Sequence, residues 1–234
     1  HFSQMKKRIG AEGFRIMEAW LRREALSLRA SQPLSAVGLV QAACIDGTDL
    51  RAWSSRSPDD NKRGRGDPDA RLGRGRKGFY LGYRSVFLTD IEGFPLGHFE
   101  APANVNEPLL VEPLLDWVLG EDIEVELLAG DSVFEARRVF EALGARRMAP
   151  LVAWRRMKGR DNPADVLSVK DRIDVEGSEY KRVVYKRLRA LVEVFVGRVK
   201  RRLEYSRLTW LGLENGGIPV RRVLTVVYGV ACAA

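Results

Sequence analysis

Apolar and polar positions follow two different periods along the chain. Between residues 5 and 28, apolar residues recur at helical spacing among charged ones, which predicts an amphipathic helix. Five later segments are apolar, aromatic or β-branched and predict strands: 37–45, 79–88, 94–99, 123–129 and 148–153. Helices are predicted over 106–120, 133–143 and 182–205, and a last one in the apolar tail after residue 210. Three strands come first, followed by alternating helices and strands. This order predicts an α/β fold with an antiparallel start and βα crossovers after it.

Two segments lack such a pattern. Residues 54–78 combine Gly, Pro, Asp and Arg with almost nothing to bury, which predicts a mobile basic loop, and residues 155–180 also read as a loop. We expect an N-terminal helical segment over 1–40 and one main domain over 41–234. The chain opens with His1 inside a predicted helix, so we expect that the start of this helix is missing.

Composition narrows the class of protein. The chain has 234 residues, of which 39 are Lys or Arg and 31 are Asp or Glu, giving a net charge of +8. Such an excess favours an anionic partner, with nucleic acid as the first candidate, although many basic proteins bind none. The only cysteines, Cys44 and Cys232, lie in apolar segments and indicate neither a disulfide framework nor a zinc site. No uncharged run is long enough for a membrane helix, and we expect a cytoplasmic protein.

Three acidic residues stand where they could carry chemistry. Asp46 follows an apolar strand, Asp131 ends another strand just before a helix, and Glu193 lies in an apolar and basic helix. Active sites of open α/β sheets gather beyond the carboxyl ends of strands, so two of these acids can converge if their strands are neighbours. Carboxylates are the ligands that Mg²⁺ prefers, and two such ions can promote phosphodiester chemistry.

Each acid also has a structural interpretation. Asp46 could be a turn residue at a strand end, and Asp131 could only cap the following helix. Glu193 could simply pair with Arg189, which lies one helical turn earlier.

Several short motifs together resemble the DDE transposases of insertion sequences. They occur in the family's order between about Phe2 and Val227: Asp46-Gly47-Thr48, Gly82-Tyr83 to Asp90, Pro102 to Glu107, Gly130-Asp131-Ser132, and Tyr185 to Lys200. In the last motif the family has Tyr, Arg, Glu and Lys, separated by two, three and six residues. Arg189, Glu193 and Lys200 match this spacing, whereas Lys186 stands at the tyrosine position and Tyr185 one place before it.

The resemblance implies a ribonuclease-H-like domain, a mixed sheet flanked by helices. It implies that Asp46, Asp131 and Glu193 are catalytic and hold two Mg²⁺ or Mn²⁺ ions, and that Arg189, Lys200, Tyr185 and Lys186 contact DNA. Arg76 and Lys77 of the basic loop are expected to contact DNA phosphates as well.

The implied reaction is cleavage and strand transfer at the ends of an insertion sequence. Its partners would be double-stranded DNA at the element ends and at the target, bound by a homodimer that is associated with the nucleoid. Two alternatives stay open, namely a degenerate transposase that only binds DNA and a metal-dependent nuclease of the same fold.

Overall fold

A computed structural model describes residues 2–31, 42–75, 78–120, 123–153 and 179–202, together with Leu224, Val227 and Tyr228. Most of the predicted loop at 155–180 lies outside these residues, and its last two residues belong to a helix. Most of the predicted tail helix lies outside them too, as do Arg76, Lys77 and Cys232. Leu224, Val227 and Tyr228 are helical, as expected of the tail.

The described elements follow the predicted order. They are α1 (Phe2–Ser31), β1 (Ala42–Arg51), β2 (Arg71–Gly75), β3 (Gly78–Asp90), β4 (Pro95–Pro102), a 3-10 turn (Glu107–Leu110) leading into α2 (Val111–Leu119), β5 (Leu127–Gly130), a second 3-10 turn (Ser132–Phe134), α3 (Arg137–Ala145), β6 (Ala149–Val152) and α4 (Glu179–Arg202). Helix α1 is interrupted at Gly10, whose φ of 65° and ψ of 178° are not helical. Within the described ranges, no helix has the length and apolar character that a membrane span needs.

All six strands form one mixed sheet. β1 pairs antiparallel with β3 on one side and parallel with β5 on the other, and β6 extends the parallel half. β2 pairs with the first part of β3 and β4 with the rest, both antiparallel. The order is therefore β4, β3, β1, β5, β6, with an antiparallel half followed by a parallel half. This is the ribonuclease-H-like arrangement, and the predicted fold class is confirmed.

Helices cover both faces of the sheet because alternate residues of the central strand β1 are buried on opposite sides. Cys44 and Leu50 lie in a core with Val192 of α4, whereas Ile45 lies in a second core with Leu114 of α2. Each residue of β1 therefore belongs to a definite face of the sheet.

The first predicted strand was ended too early, and its first residues, 37–41, lie outside the described residues. It was expected to end at Asp46, but β1 continues to Arg51, so that Asp46 lies in the middle of the strand. Residues 47–51 stay in register with β3, and Leu50 is fully buried. Tertiary pairing outweighs the turn tendency of the Asp-Gly pair.

The prediction of a mobile loop over 54–78 is also wrong in part. The segment contains β2, and Ala70 and Asp67 are fully buried within it. The hydroxyl of Tyr83 donates a hydrogen bond of 2.6 Å to the Asp67 carboxylate. The strand was missed because its Arg-Leu-Gly-Arg-Gly sequence has no apolar alternation.

Two predicted helices start differently from what was expected. Asn106 makes no side-chain capping bond, and the chain passes through the 3-10 turn at Glu107–Leu110 before α2 begins. The helix predicted over 133–143 is divided into the turn Ser132–Phe134 and α3.

Candidate active site

Asp46 projects from the centre of the sheet toward α4. It pairs in register with Phe87 of β3, and its strand neighbours on the same face, Cys44 and Leu50, are fully buried. The Asp46 side chain itself is only 16% exposed. A carboxylate is thus held at the boundary between the core and the solvent.

Arg189 of α4 joins Asp46 to Glu193. Its Nη1 atom lies 3.3 Å from Oδ1 of Asp46 and donates a hydrogen bond of 3.4 Å to the carbonyl oxygen of Ile45. Its Nη2 atom donates a 2.8 Å hydrogen bond to Oε1 of Glu193. Arg189 and Glu193 thus form the pair that their helical spacing predicts. The same guanidinium also contacts the central strand.

Burial is the main electrostatic influence on Asp46. It raises the pKa of this carboxyl above its ordinary value, while the positive charge of Arg189 opposes the rise and the charge of Asp131 adds to it. Burial of Arg189 lowers the pKa of its guanidinium, but Asp46 and other anionic neighbours outweigh this, and the pKa is raised. Arg189 therefore stays a cation among these groups.

Asp131 follows β5, the parallel neighbour of β1. Gly130 pairs in register with Ile45. Asp131 and Asp46 each come directly after one member of this pair. Oδ1 of Asp131 accepts a 2.9 Å hydrogen bond from the backbone nitrogen of Val133. The residue is indeed an N-cap, and it also lies near enough to Asp46 for its charge to raise the pKa of Asp46.

Most of the residues predicted to act in α4 lie along one side of the helix, and Lys186 lies beside them. Tyr185, Arg189, Glu193 and Lys200 follow each other at steps of four, four and seven residues, which places them along one side of the helix. Tyr185 is half-buried, and burial raises the pKa of its hydroxyl to about 12. Lys186 is exposed beside this stripe, and Lys200 is exposed at its far end. Tyr185 rather than Lys186 is therefore in line with Arg189 and Glu193.

The three acids provide the donors that a hard divalent cation prefers, namely carboxylate oxygens. A mostly buried carboxylate such as Asp46 also needs a positive charge nearby, and Arg189 supplies one. Within the described part of the chain, no three His, Cys, Asp or Glu side chains are gathered so that they could hold one metal ion. The three acids thus have the type of side chain that Mg²⁺ or Mn²⁺ prefers without being gathered around one point, and Arg189 lies in contact with two of them.

Glu107 is an acidic neighbour to which the sequence analysis gave no role. Its carboxylate lies against the backbone of Gly47, the residue after Asp46, where an added Cβ would be 2.6 Å from Cδ of Glu107. Burial raises the pKa of Glu107 to about 7, with Arg84 opposing the rise and Asp131 and Asp46 adding to it. The Pro102 to Glu107 motif contained the signal, but the residue could not be distinguished there from a helix-start acid.

Comparisons with known proteins identify no family for this chain. The sequence matches no protein-family model and no curated protein. Among solved structures it is similar to the Mos1 transposase in a paired-end complex with the left transposon end, at 15% identity and a TM-score of 0.31. The match covers 82% of this chain and 63% of that one, so this chain spans less than two thirds of its length. A likeness of this size defines neither fold nor function.

Proposed function

We propose that this chain is the catalytic region of a DNA transposase of the DDE type, which cleaves at the ends of an insertion sequence and transfers the cut strand to target DNA. The observation that carries this proposal is the contact of Arg189 with both Asp46 and Glu193. This contact joins an acid of the central strand β1 to an acid of α4. Asp131 follows β5, the strand that pairs with β1 next to Asp46. The sequence motifs quoted above favour transposition over other phosphodiester reactions.

Asp46, Asp131 and Glu193 are the residues that would hold the metal. Two bound Mg²⁺ or Mn²⁺ ions would stabilise the attacking and leaving oxygens of the phosphodiester. Before they bind, Arg189 balances the charges of Asp46 and Glu193. Its five donors also suit a phosphate group, so the same side chain would hold the DNA backbone beside the acids.

Helix α4 would follow the DNA backbone. The stripe from Tyr185 to Lys200 extends about 22 Å at the helical rise, comparable to the length of about six nucleotides of duplex DNA. Tyr185 and Lys200 would contact phosphates on either side of the acids, and the exposed Lys186 would add a further charge. These contacts would fix the position of a DNA end without reading its sequence.

A second basic surface would contact the same DNA or the target. Arg63, Arg65 and Arg74 are exposed in or beside β2, which lies at the edge of the sheet. Arg76 and Lys77 follow β2 directly in the sequence and are proposed to continue this surface. Cleavage and transfer at two element ends would require two copies of the chain, so the active complex is proposed to be a homodimer.

The test uses labelled DNA fragments taken from either side of the gene, incubated with the protein and Mg²⁺. Asp46→Asn and Glu193→Gln are compared with wild type, and Glu141→Gln serves as control because Glu141 pairs with Arg137 on α3 and is exposed. We expect wild type and Glu141→Gln to cleave at defined ends and to join them to a plasmid. Asp46→Asn and Glu193→Gln should bind the DNA without cutting it.

Other outcomes would identify the alternatives. Cleavage by wild type without joining would indicate a nuclease of the same fold. DNA binding by wild type without any cleavage would indicate a degenerate transposase. Either result overturns the proposed reaction.

A further inference from the structure

We propose that the second basic surface binds unpaired DNA, with the rings of Trp53 and Phe79 stacking on its bases. Arg63, Arg65 and Arg74, which form this surface, would contact the phosphates of the same strand. This inference rests on the proposed function, because it assigns a single-stranded part of the DNA substrate to the surface. The observation that carries it is the exposure of two aromatic side chains among cations at one end of the sheet.

Trp53 and Phe79 lie near each other, where β1 ends and β3 begins. The backbone nitrogen of Ala52 donates a 3.0 Å hydrogen bond to the carbonyl oxygen of Leu81. Trp53 directly follows Ala52, and Phe79 lies two residues before Leu81. Trp53 is 56% exposed and Phe79 is 66% exposed, although aromatic rings stabilise a fold chiefly when they are buried. More than half of the surface of each residue is therefore open to a binding partner.

Exposed arginines lie beside both rings. Arg74 pairs in register with Phe79, so the two side chains are neighbours on the same face of the sheet. The backbone nitrogen of Arg65 donates a 2.8 Å hydrogen bond to the carbonyl oxygen of Ser55, which lies two residues after Trp53. Flat rings and cations side by side match the two parts of a nucleic acid strand, since bases stack on rings and phosphates pair with cations.

The exposed rings favour an unpaired strand over a duplex. In a duplex the faces of the bases are covered by neighbouring base pairs, and a side chain inserts between them only by unstacking them, at a cost in free energy. The bases of an unpaired strand offer their faces to aromatic rings without this cost. Stacking on Trp53 and Phe79 therefore distinguishes single-stranded from double-stranded DNA.

The surface lies on the same face of the sheet as Asp46. Phe87 pairs in register with Asp46, and Phe79 lies eight residues before Phe87 in β3, an even number that returns to the same face. Eight residues of a strand span about 26 Å. A strand that leaves the acids along this face would reach Phe79 after a few nucleotides.

The test measures the affinity of the whole chain for two labelled DNAs by fluorescence anisotropy. One is a thymine oligonucleotide, whose bases are unpaired, and the other is a blunt duplex. Trp53→Ala and Phe79→Ala should each weaken binding of the thymine strand by about tenfold, as expected when one base loses its stacking partner. Their affinity for the duplex should stay as in wild type.

Variants that keep a ring and a distant tryptophan provide the controls. Trp53→Phe and Phe79→Trp should retain most of the affinity for the thymine strand. Trp20→Ala removes a ring that is 59% exposed on α1 and should bind both DNAs as wild type does. In Trp53→Ala the slope of log affinity against log salt should be unchanged, since stacking releases no counter-ion.

Because both rings are exposed, the alanine variants should give the circular dichroism spectrum of wild type. If one does not fold, the leucine variant at the same position replaces it, since leucine is apolar but has no ring. The same loss of affinity for the thymine strand is expected of it.

The remaining outcomes contradict the inference in different ways. Wild-type affinity of both alanine variants for the thymine strand would overturn it, while cleavage of labelled element ends would leave the proposed function standing. An equal loss with strand and duplex would mean that the rings do not distinguish unpaired bases. A lower sedimentation coefficient of Trp53→Ala at unchanged affinity would show that the rings contact a second copy of the chain instead. Absence of DNA binding by wild type would overturn both the inference and the proposed function.

Discussion

The Nη1 atom of Arg189 lies 3.3 Å from Oδ1 of Asp46, which connects the middle of the central strand to α4. The two side chains are only 13% and 16% exposed. Removing one member of such a pair leaves the other charge poorly solvated and without its counter-ion. The pair therefore makes a prediction about folding that does not depend on the reaction.

Arg189→Gln should lower the free energy of unfolding by about 3 kcal/mol, because Asp46 then loses its nearest positive charge. Urea denaturation at pH 7 measures the change. The double variant Arg189→Gln with Asp46→Asn should recover part of the loss, since neither charge is then left alone. If the two single effects simply add in the double variant, the pair makes no coupled contribution and the expectation is wrong.

A second buried charge cluster joins α1 to β4. His98 is 3% exposed; its Nε2 atom lies 3.1 Å from Oε2 of Glu18, and its Nδ1 atom is hydrogen-bonded to Glu100. Burial disfavours the charged imidazolium, but Glu100 and Glu18 outweigh it, and the pKa of His98 rises to about 10. Arg22 also faces this region, with its guanidinium 4.1 Å from the ring centre of Trp117.

Because the folded state holds this proton more tightly than the unfolded state, the stabilisation is complete below the ordinary histidine pKa near 6.5. It is lost as the pH rises toward 10. The free energy of unfolding of wild type should therefore fall between these pH values, and more steeply than that of His98→Gln. Urea denaturation at several pH values measures both slopes, and parallel curves would contradict the charged assignment of His98.

The structure of the basic segment around β2 should depend on the hydrogen bond between Tyr83 and the buried Asp67. Tyr83→Phe removes the 2.6 Å hydrogen bond to the fully buried Asp67 and should cost about 1–3 kcal/mol. Hydrogen exchange of the backbone amides at Arg63, Gly64 and Leu72 should become faster than in wild type. Exchange that is fast in both proteins would instead mean that the segment is a loop in solution, as its composition had indicated.

DNA affinity should depend on salt through the exposed arginines of this segment. Replacing Arg63, Arg65 and Arg74 by Gln should reduce the slope of log affinity against log salt by about three, since each phosphate contact releases close to one counter-ion. Fluorescence anisotropy with a labelled duplex at several salt concentrations gives the slope. The control variant replaces three exposed arginines that lie elsewhere and should leave the slope unchanged: Arg15, Arg137 and Arg138. Equal slopes for all three proteins would show that this segment does not contact DNA.

The sequence predicted the alternating core elements well because their burial patterns are regular. It failed where long-range contacts decide the local structure. The Asp46-Gly47 pair has turn chemistry, yet pairing with β3 keeps it extended, and the glycine serves a close approach by Glu107. β2 has one large apolar residue, Leu72, and its strand structure comes from pairing with β3 beside the buried Asp67.

Contacts within one helix were predicted more reliably than contacts between residues of different elements. The four-residue step from Arg189 to Glu193 fixes their contact from the sequence alone. The contact of Arg189 with Asp46 depends instead on how α4 packs across β1, and no local pattern contains that information. For the same reason Glu107 went unnoticed, although its motif had been recognised.

The polar stripe of α4 gives the sharpest separation between a catalytic and a structural interpretation. Glu193 is 60% exposed and shares Arg189 with Asp46, so as a surface ion pair it would contribute less than about 1 kcal/mol to stability. Glu193→Gln should therefore fold with nearly wild-type stability in either case. If Glu193 holds a metal ion, this variant should lose cleavage of labelled element ends while binding the same DNA in Mg²⁺. Lys200→Ala, two helical turns further along, should only weaken DNA binding and lower the cleavage rate in part, because it removes one phosphate contact and no metal ligand.

Glu141→Gln again provides the exposed acid control. Full cleavage by a folded Glu193→Gln protein would refute the role of Glu193, and equal losses in Glu193→Gln and Lys200→Ala would mean that the stripe acts only through DNA binding.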